Sequence, residues 1–477
     1  VKAAFLSGVW RKAASVPGMV AILALLSLPF SYLRNWVLSH QPDGGSLLGT
    51  YAQINIVNQA IATFLVFGGP SLYNHFLPKL ASARERGAFI ARNFRITAIG
   101  MAAALLAVAF IPGLGNFAFN DVPSSSATWM LIALAICSPL CATSIGAIGG
   151  LSGFRYLALL DLIALMVPLV ALAFIANHFA PATRYFEVTG SLLILWILAS
   201  SLFGLLKIVR PQVEFQGPAP EPPAGFWTFG LSVQLTAAVS FVYTYLDQFI
   251  VSKYFSLATL GEYFLIIQLA QLVTFLPQKL AQVALHEFSS KTNQADTRAA
   301  YAKASEISIW AVSLMAIMVI ALAPYLTGIF GKSVSAESPQ SLRYLAAGAS
   351  IGAIGALNSM LILSQGLSKI FVSNNLFLIA VQTALNLALI PAMGLRGAII
   401  GRIAAIVVGQ TGLSLIIRFK IFRDFRIPAL FWWLQLAIWA LVLLPESLWW
   451  VRGLLILCVL AKGALRFAGN RNRSHES

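Results

Sequence analysis

Apolar stretches of bilayer-crossing length follow one another almost without pause from residue 17 to residue 467. A hydrocarbon core of ~30 Å needs roughly 20 helical residues at 1.5 Å rise each. Fourteen segments answer to that scale: 17–39, 47–76, 94–117, 127–152, 155–178, 188–209, 226–252, 257–285, 303–330, 341–365, 368–391, 395–421, 428–445 and 447–467. Only helices and closed barrels satisfy every backbone group in lipid, and runs this continuous are helices, not alternating barrel strands. With 59% apolar and 10% charged residues, the 477-residue chain has too little polar surface for a water-soluble globule. The expected fold class is an all-α polytopic membrane protein of about 14 transmembrane helices. Several segments exceed the core thickness, so tilts or breaks are expected.

Lysine and arginine gather between every second pair of segments. With the N-terminus inside, the inner side takes Lys2, Arg11 and Lys12, the cluster Lys79 to Arg95, Arg155, Lys207 with Arg210, the cluster Lys279 to Lys303, Lys369, the cluster Arg418 to Arg426, and Lys462, Arg466, Arg471 and Arg473. The outer side takes only Arg184, Lys253, Lys332, Arg343, Arg396 and Arg452. This bias, about four to one, sets both termini in the cytoplasm. The net charge of +16 is then mostly topology. It is no nucleic-acid footprint, because no soluble domain presents a basic face; contact with anionic lipid headgroups remains open to it. The 17–39 stretch is too long for a signal peptide and is expected to be the first span.

The one sizeable break is the proline-rich 211–225, PQVEFQGPAPEPPAG, which cannot be helical. It suggests an N-terminal lobe at 1–210, a cytoplasmic linker, a C-terminal lobe at 226–421, and an extra helix pair with a tail at 422–477. The two lobes echo each other. Tyr32-Leu33-Arg34 matches Tyr245-Leu246-Asp247, and Leu48-Gly49-Thr50-Tyr51 matches Leu260-Gly261-Glu262-Tyr263. In the same register Ile54 matches Ile266 and Gln59 matches Gln271. Six helices is an even number, so the repeat is parallel, two six-helix lobes related by an axis along the membrane normal.

These residues resemble the Wzx-type polysaccharide flippases of the multidrug/oligosaccharidyl-lipid/polysaccharide exporter superfamily. The resemblance is strongest over LGTYAQINIVNQAIATFLVFGGP (48–70) and YLDQFIVSKYFSLATLGEYFLIIQLAQLVTFLPQKLAQ (245–282). It implies alternating access in the bacterial inner membrane. The substrate it implies is a lipid-linked oligosaccharide on undecaprenyl pyrophosphate, turned from the cytoplasmic to the periplasmic face. Expected partners are that substrate, membrane lipids, and a glycan polymerase or other polysaccharide-assembly proteins; no cofactor is expected.

Four ionisable side chains fall well inside the segments: Arg34, Asp161, Asp247 and Arg402. Intramembrane charges usually face protein or a water-filled path. Arg34 and Asp247 hold equivalent repeat positions, roughly 7–8 Å from the outer ends of their spans. They are expected either to pair across the lobes as a gate, or to snorkel outward or cap a neighbouring helix end. Asp161 is a helix–helix contact or, with Asp247, a candidate for ion coupling. Arg402 follows Gly-Ala-Ile-Ile-Gly (397–401), a small-residue run suited to close helix packing, and is expected to snorkel outward in preference to contacting the glycan. Amide stripes recur in both lobes: Asn55, Asn58 and Gln59 in the second span, Gln268 and Gln271 in the eighth. They would line a sugar path or bond between helices. A third stripe, Asn375, Gln382 and Asn386, lies in the eleventh. Arg92, Arg95 and Lys279 are topological charges or capture sites for the pyrophosphate.

No Walker-type GxxxxGK[ST] occurs, and the five histidines lack metal-ligand spacing. Cys137, Cys141 and Cys458 are expected to be packing residues. An enzyme is not expected, since a membrane glycan polymerase should carry a long Arg-rich periplasmic loop. A peptidoglycan-precursor flippase, a cation-coupled multidrug exporter and a structural subunit of a glycan-synthesis complex are the other readings. Cysteine labelling should place the 211–225 linker in the cytoplasm and 119–126 and 332–340 outside. An externally labelled linker overturns the parallel two-lobe reading.

Overall fold

The computed structural model of the chain describes residues 32–120, 122–151, 156, 167, 170–171, 182–215, 221–290, 293–365, 367–448, 450–459 and 461. These are helical almost throughout, and no strand occurs among them. The helices are α1 (32–39), α2 (Gly44–Leu65), α3 (Gly69–Phe76), α4 (Ala83–Phe110), α5 (Ser124–Gly150), α6 (Ala182–Gly204), α7 (Phe226–Tyr254), α8 (Leu257–Ser290), α9 (Gln294–Gly328), α10 (Ser338–Ile351), α11 (Gly355–Ser364), α12 (Ser368–Met393), α13 (Leu395–Ile416), α14 (Ala429–Leu443) and α15 (450–459). Among the described residues nine helical spans are long and apolar enough to cross a membrane, ten if the bent pair α2–α3 counts as one. The chain is thus an all-α polytopic membrane protein. It divides into two compact units, Val1–Tyr245 with Phe255–Gly261, and Leu246–Tyr254 with Glu262–Ser477. The division falls within α7, so the 211–225 segment lies inside the first unit.

In the first unit α5 packs against α2, α3, α4 and α6. The expected second span, 47–76, is broken. Gly68 and Gly69 adopt φ of +66° and +51°, conformations that suit glycine, and Pro70 follows. The axes of the two halves differ by 46°. A break frees backbone groups that lipid cannot satisfy. Gln234 of α7 takes both: its Oε1 accepts from Gly68 N at 3.0 Å, and its Nε2 donates to the Thr63 carbonyl at 2.6 Å. Around this joint Phe67, Phe76 and Phe89 pack on Phe226 with ring centroids 5.7–6.2 Å away.

α4 starts eleven residues before the expected 94. Ser82 Oγ accepts from Glu85 N at 3.1 Å, and the Glu85 carboxylate accepts from Ser82 N at 3.3 Å, a capping box that nucleates the helix. Arg84, Arg86, Arg92 and Arg95 therefore stand on the first turns of α4 and not in a loop. α9 likewise begins at Gln294, capped by Asn293, whose side chain accepts from Ala295 N at 3.0 Å. The sixth and twelfth expected spans both close on a five-residue π-helical turn, Leu205–Val209 with Lys207 and Ile417–Ile421 with Arg418 and Lys420.

The glycines of the repeated Leu-Gly-x-Tyr motif meet in the first unit. A Cβ on Gly261 would lie 2.2 Å from the Gly45 carbonyl oxygen, and one on Gly49 would lie 2.0 Å from that of Leu257. The beginnings of α2 and α8 are thus in backbone contact, which any side chain would wedge apart. Gly261→Ala should destabilise by about 1–3 kcal/mol through this overpacking. Gly328→Ala, with nothing within 4 Å of the new methyl group, should be neutral or mildly stabilising. Thermal unfolding of the detergent-solubilised protein reads the difference, and equal midpoints for the two variants would refute the close contact.

Candidate functional site: two buried charges, each held by a motif tyrosine

Arg34 on α1 is 2% exposed. A guanidinium stays charged and has five N–H donors to satisfy. Its Nη1 donates to the Tyr51 hydroxyl at 2.7 Å, and its Nε and Nη2 donate to Asn35 Oδ1 at 3.0 and 2.8 Å. Its Cζ lies 4.2 Å from the centroid of the Tyr51 ring, which adds a cation–π contact. Buried Tyr185 of α6 is within electrostatic reach of both Arg34 and Tyr51.

Asp247, in the second unit, is fully buried on α7. Its Oδ2 accepts from Arg402 Nη1 at 2.6 Å and from the Tyr263 hydroxyl at 2.7 Å, and its Oδ1 accepts from Gln248 N at 2.8 Å. Charge-assisted bonds of this length are the strong ones. The Arg402 side chain is 15% exposed, so the pair is largely withdrawn from solvent. What aims Arg402 is the small-residue run before it. Cβ atoms on Gly397 and Gly401 would meet the Leu389 carbonyl oxygen and Asn386 Oδ1 of α12 at 2.1 and 2.2 Å. With that face of α13 pressed on α12, the next residue is turned by ~100° and reaches Asp247.

One expectation is corrected here: Arg402 does not snorkel outward; it pairs with Asp247 within the second unit. Arg34 bonds Tyr51 and Asn35 within the first. Positions 34 and 247 are alike in one respect. In each unit the buried charge bonds the tyrosine of the Leu-Gly-x-Tyr motif at 2.7 Å.

Of the amide stripes, Asn58 accepts from Ser138 Oγ of α5 at 2.5 Å, an interhelical bond. Asn55 and Gln268 are half-buried, and Gln59 and Gln271 are exposed. Gln382 and Asn386 are fully buried. Arg92 is half-buried and Arg95 exposed on α4. Asp161 lies outside the described residues, as does the side chain of Lys279. Among the described residues no cluster of three or more His, Cys, Asp or Glu side chains could hold a metal. Sequence reasoning missed Arg402 as a partner and Asn35 and Tyr263 as site residues. The available signal was a tyrosine 17 residues after Arg34 and 16 after Asp247.

No family model and no curated protein sequence matches the chain. Solved structures do share its fold. The lipid II flippase MurJ in an inward closed conformation superposes with a TM-score of 0.67 at 14% identity, covering 96% of this chain and 100% of that one. An outward-facing multidrug resistance MATE family transporter of the MOP superfamily gives 0.55 at 15% identity, covering 91% and 98%. A MOP superfamily transporter from Pyrococcus furiosus gives 0.58 at 13% identity, covering 91% and 98%.

Removing Arg402 strands the Asp247 carboxylate, so Arg402→Ala should cost toward the lower end of ~3–5 kcal/mol, since the arginine is not wholly buried. Tyr263→Phe should cost about 1–3 kcal/mol. Arg396→Ala, at an exposed ion pair, should cost at most ~1 kcal/mol. A double-mutant cycle on thermal unfolding checks this order; no coupling between positions 247 and 402 would dissolve the site.

Proposed function

We propose that this chain is a flippase for a lipid-linked glycan built on undecaprenyl pyrophosphate. It moves its substrate from the cytoplasmic to the periplasmic face of the bacterial inner membrane by alternating access, for polysaccharide biosynthesis. The observation that supports a flippase is fold likeness to the MurJ flippase over all of that chain and 96% of this one. The Wzx-like motifs at 48–70 and 245–282 support a glycan as cargo. A sugar headgroup crossing hydrocarbon loses its water hydrogen bonds at several kcal/mol each, and polar side chains must replace them.

In this reading Asn55, Gln59, Gln268 and Gln271 offer amides to sugar hydroxyls, while Asn58 is held by Ser138. Arg92, Arg95 and Lys279 receive the pyrophosphate on the cytoplasmic side. Arg34 and Asp247 set the conformational balance. Asp247, with Asp161 as the other candidate, couples it to an ion. The substrate meets the chain beside membrane lipids, with a glycan polymerase and other assembly proteins as partners, and both termini are cytoplasmic.

A peptidoglycan lipid-precursor flippase is the second reading, favoured by the MurJ likeness itself. Proteoliposomes carrying either a fluorescent lipid-linked oligosaccharide or lipid II separate the two. Oligosaccharide flipping should be the faster, and Arg92→Gln with Arg95→Gln should slow it at least about five-fold per folded protein, the loss expected for two charge-assisted contacts. Faster flipping of lipid II would select the second reading. Movement of neither substrate would end both.

A further inference from the structure

The second unit contains a cavity outside the buried charge site. α10 packs against both α13 and α14, and a half-open hollow of about 810 Å³ lies along α10 and α13 with Trp439 of α14 at its side. Its mouth lies where α10 and α13 begin and is marked by Glu337 and Arg396. Its walls beyond are Ile399 and Ile403 of α13, Tyr344 of α10 and Trp439 of α14. From Arg396 to Ala404 the lining descends about 12 Å at 1.5 Å per residue. The cavity therefore has a charged lip and an apolar interior deep enough for part of a hydrocarbon chain.

The lip is specific in its charges. Arg396 Nη2 and Nε bond Glu337 Oε1 and Oε2 at 2.7 and 3.2 Å, yet both side chains are open to their surroundings, at 67% and 63% exposure. An exposed pair like this contributes little by itself. It does present one positive and one negative group side by side, at the end of two membrane-spanning helices. A zwitterionic headgroup complements both at once, its phosphate on the arginine and its ammonium on the glutamate. An anionic headgroup or a pyrophosphate would set a second negative charge against Glu337. A choline headgroup has no N–H to donate to the carboxylate.

We propose that this cavity is a binding site for phosphatidylethanolamine, with one acyl chain along α10 and α13 and the headgroup closing a four-charge alternating array with Glu337 and Arg396. The proposal stands whether or not the glycan reading holds.

The test uses the full chain in nanodiscs of equal phosphatidylethanolamine, phosphatidylcholine and phosphatidylglycerol, with retained lipid counted by native mass spectrometry. One phosphatidylethanolamine per chain should be retained, enriched roughly three- to five-fold over its share, the scale of one exposed ion pair. Glu337→Ala with Arg396→Ala should return retention to the mixture's proportions. The exchange Glu337→Arg with Arg396→Glu should keep the enrichment. Ala404→Phe, which narrows the apolar end, should lower the amount retained. Circular dichroism and unfolding midpoints within a few degrees of the parent confirm that each variant is folded; the two lip residues are exposed and carry no core packing. Retention of phosphatidylglycerol or phosphatidylcholine equal to phosphatidylethanolamine overturns the proposal. So does an undiminished preference in the double alanine variant, or no retained lipid at all.

Discussion

An ionised carboxylate within a 29-residue apolar helix is tolerable only when other helices bring it donors. Asp247 receives them from α8, its neighbour in sequence, and from α13, 155 residues on, so three helices are tied at one buried point. The tie reaches further than its own atoms. Arg402 arrives there only because α13 lies with its small-residue face on α12, and α12 carries the buried amides Gln382 and Asn386. The rotation of α13, its closeness to α12 and the ionisation of Asp247 are therefore one requirement met once. Changing any one of the three strains the other two.

The two motif tyrosines show how a repeat can keep its geometry while reversing its charge. A phenolic hydroxyl both accepts and donates. Tyr51 accepts from a guanidinium and Tyr263 donates to a carboxylate, each at 2.7 Å. The same residue at the same place in each repeat thus serves a cation in one unit and an anion in the other. An arginine or a lysine in its place could serve only the anion, an aspartate only the cation.

Much of this was legible in the sequence, for reasons that differ by residue. Hydropathy gave the all-α polytopic class because continuous apolar runs in lipid must be helical; the spans expected at 17–39 and 155–178 lie largely outside the described residues. The repeat located Arg34, Asp247, Gly49, Gly261 and both tyrosines. It could not name the partner of Asp247, because equivalent position along a helix fixes depth and leaves azimuth open. The run 397–401 held that information: a glycine pair four apart marks a buried face and so aims its neighbours. The start of α4 was missed because hydropathy sees charge as loop, while Ser82 and Glu85 spell a helix start in hydrogen bonds. The joint at Gly68-Gly69-Pro70 was visible as a turn signal inside an unbroken apolar run. That its loose ends would be gathered by a glutamine of α7 was not, since nothing local in either segment refers to the other.

That glutamine has a consequence in time. The N–H of Gly68 and the carbonyl of Thr63 find Gln234 only after 166 and 171 further residues. At a synthesis rate of 5–20 residues per second, the interval is on the order of ten seconds or more. Over that interval the joint between α2 and α3 has been made but not closed. Its open backbone must stay near water or the insertion machinery, because hydrocarbon offers it nothing. The joint thus ties the closing of the second span to the seventh, whose Gln234 completes its hydrogen bonds.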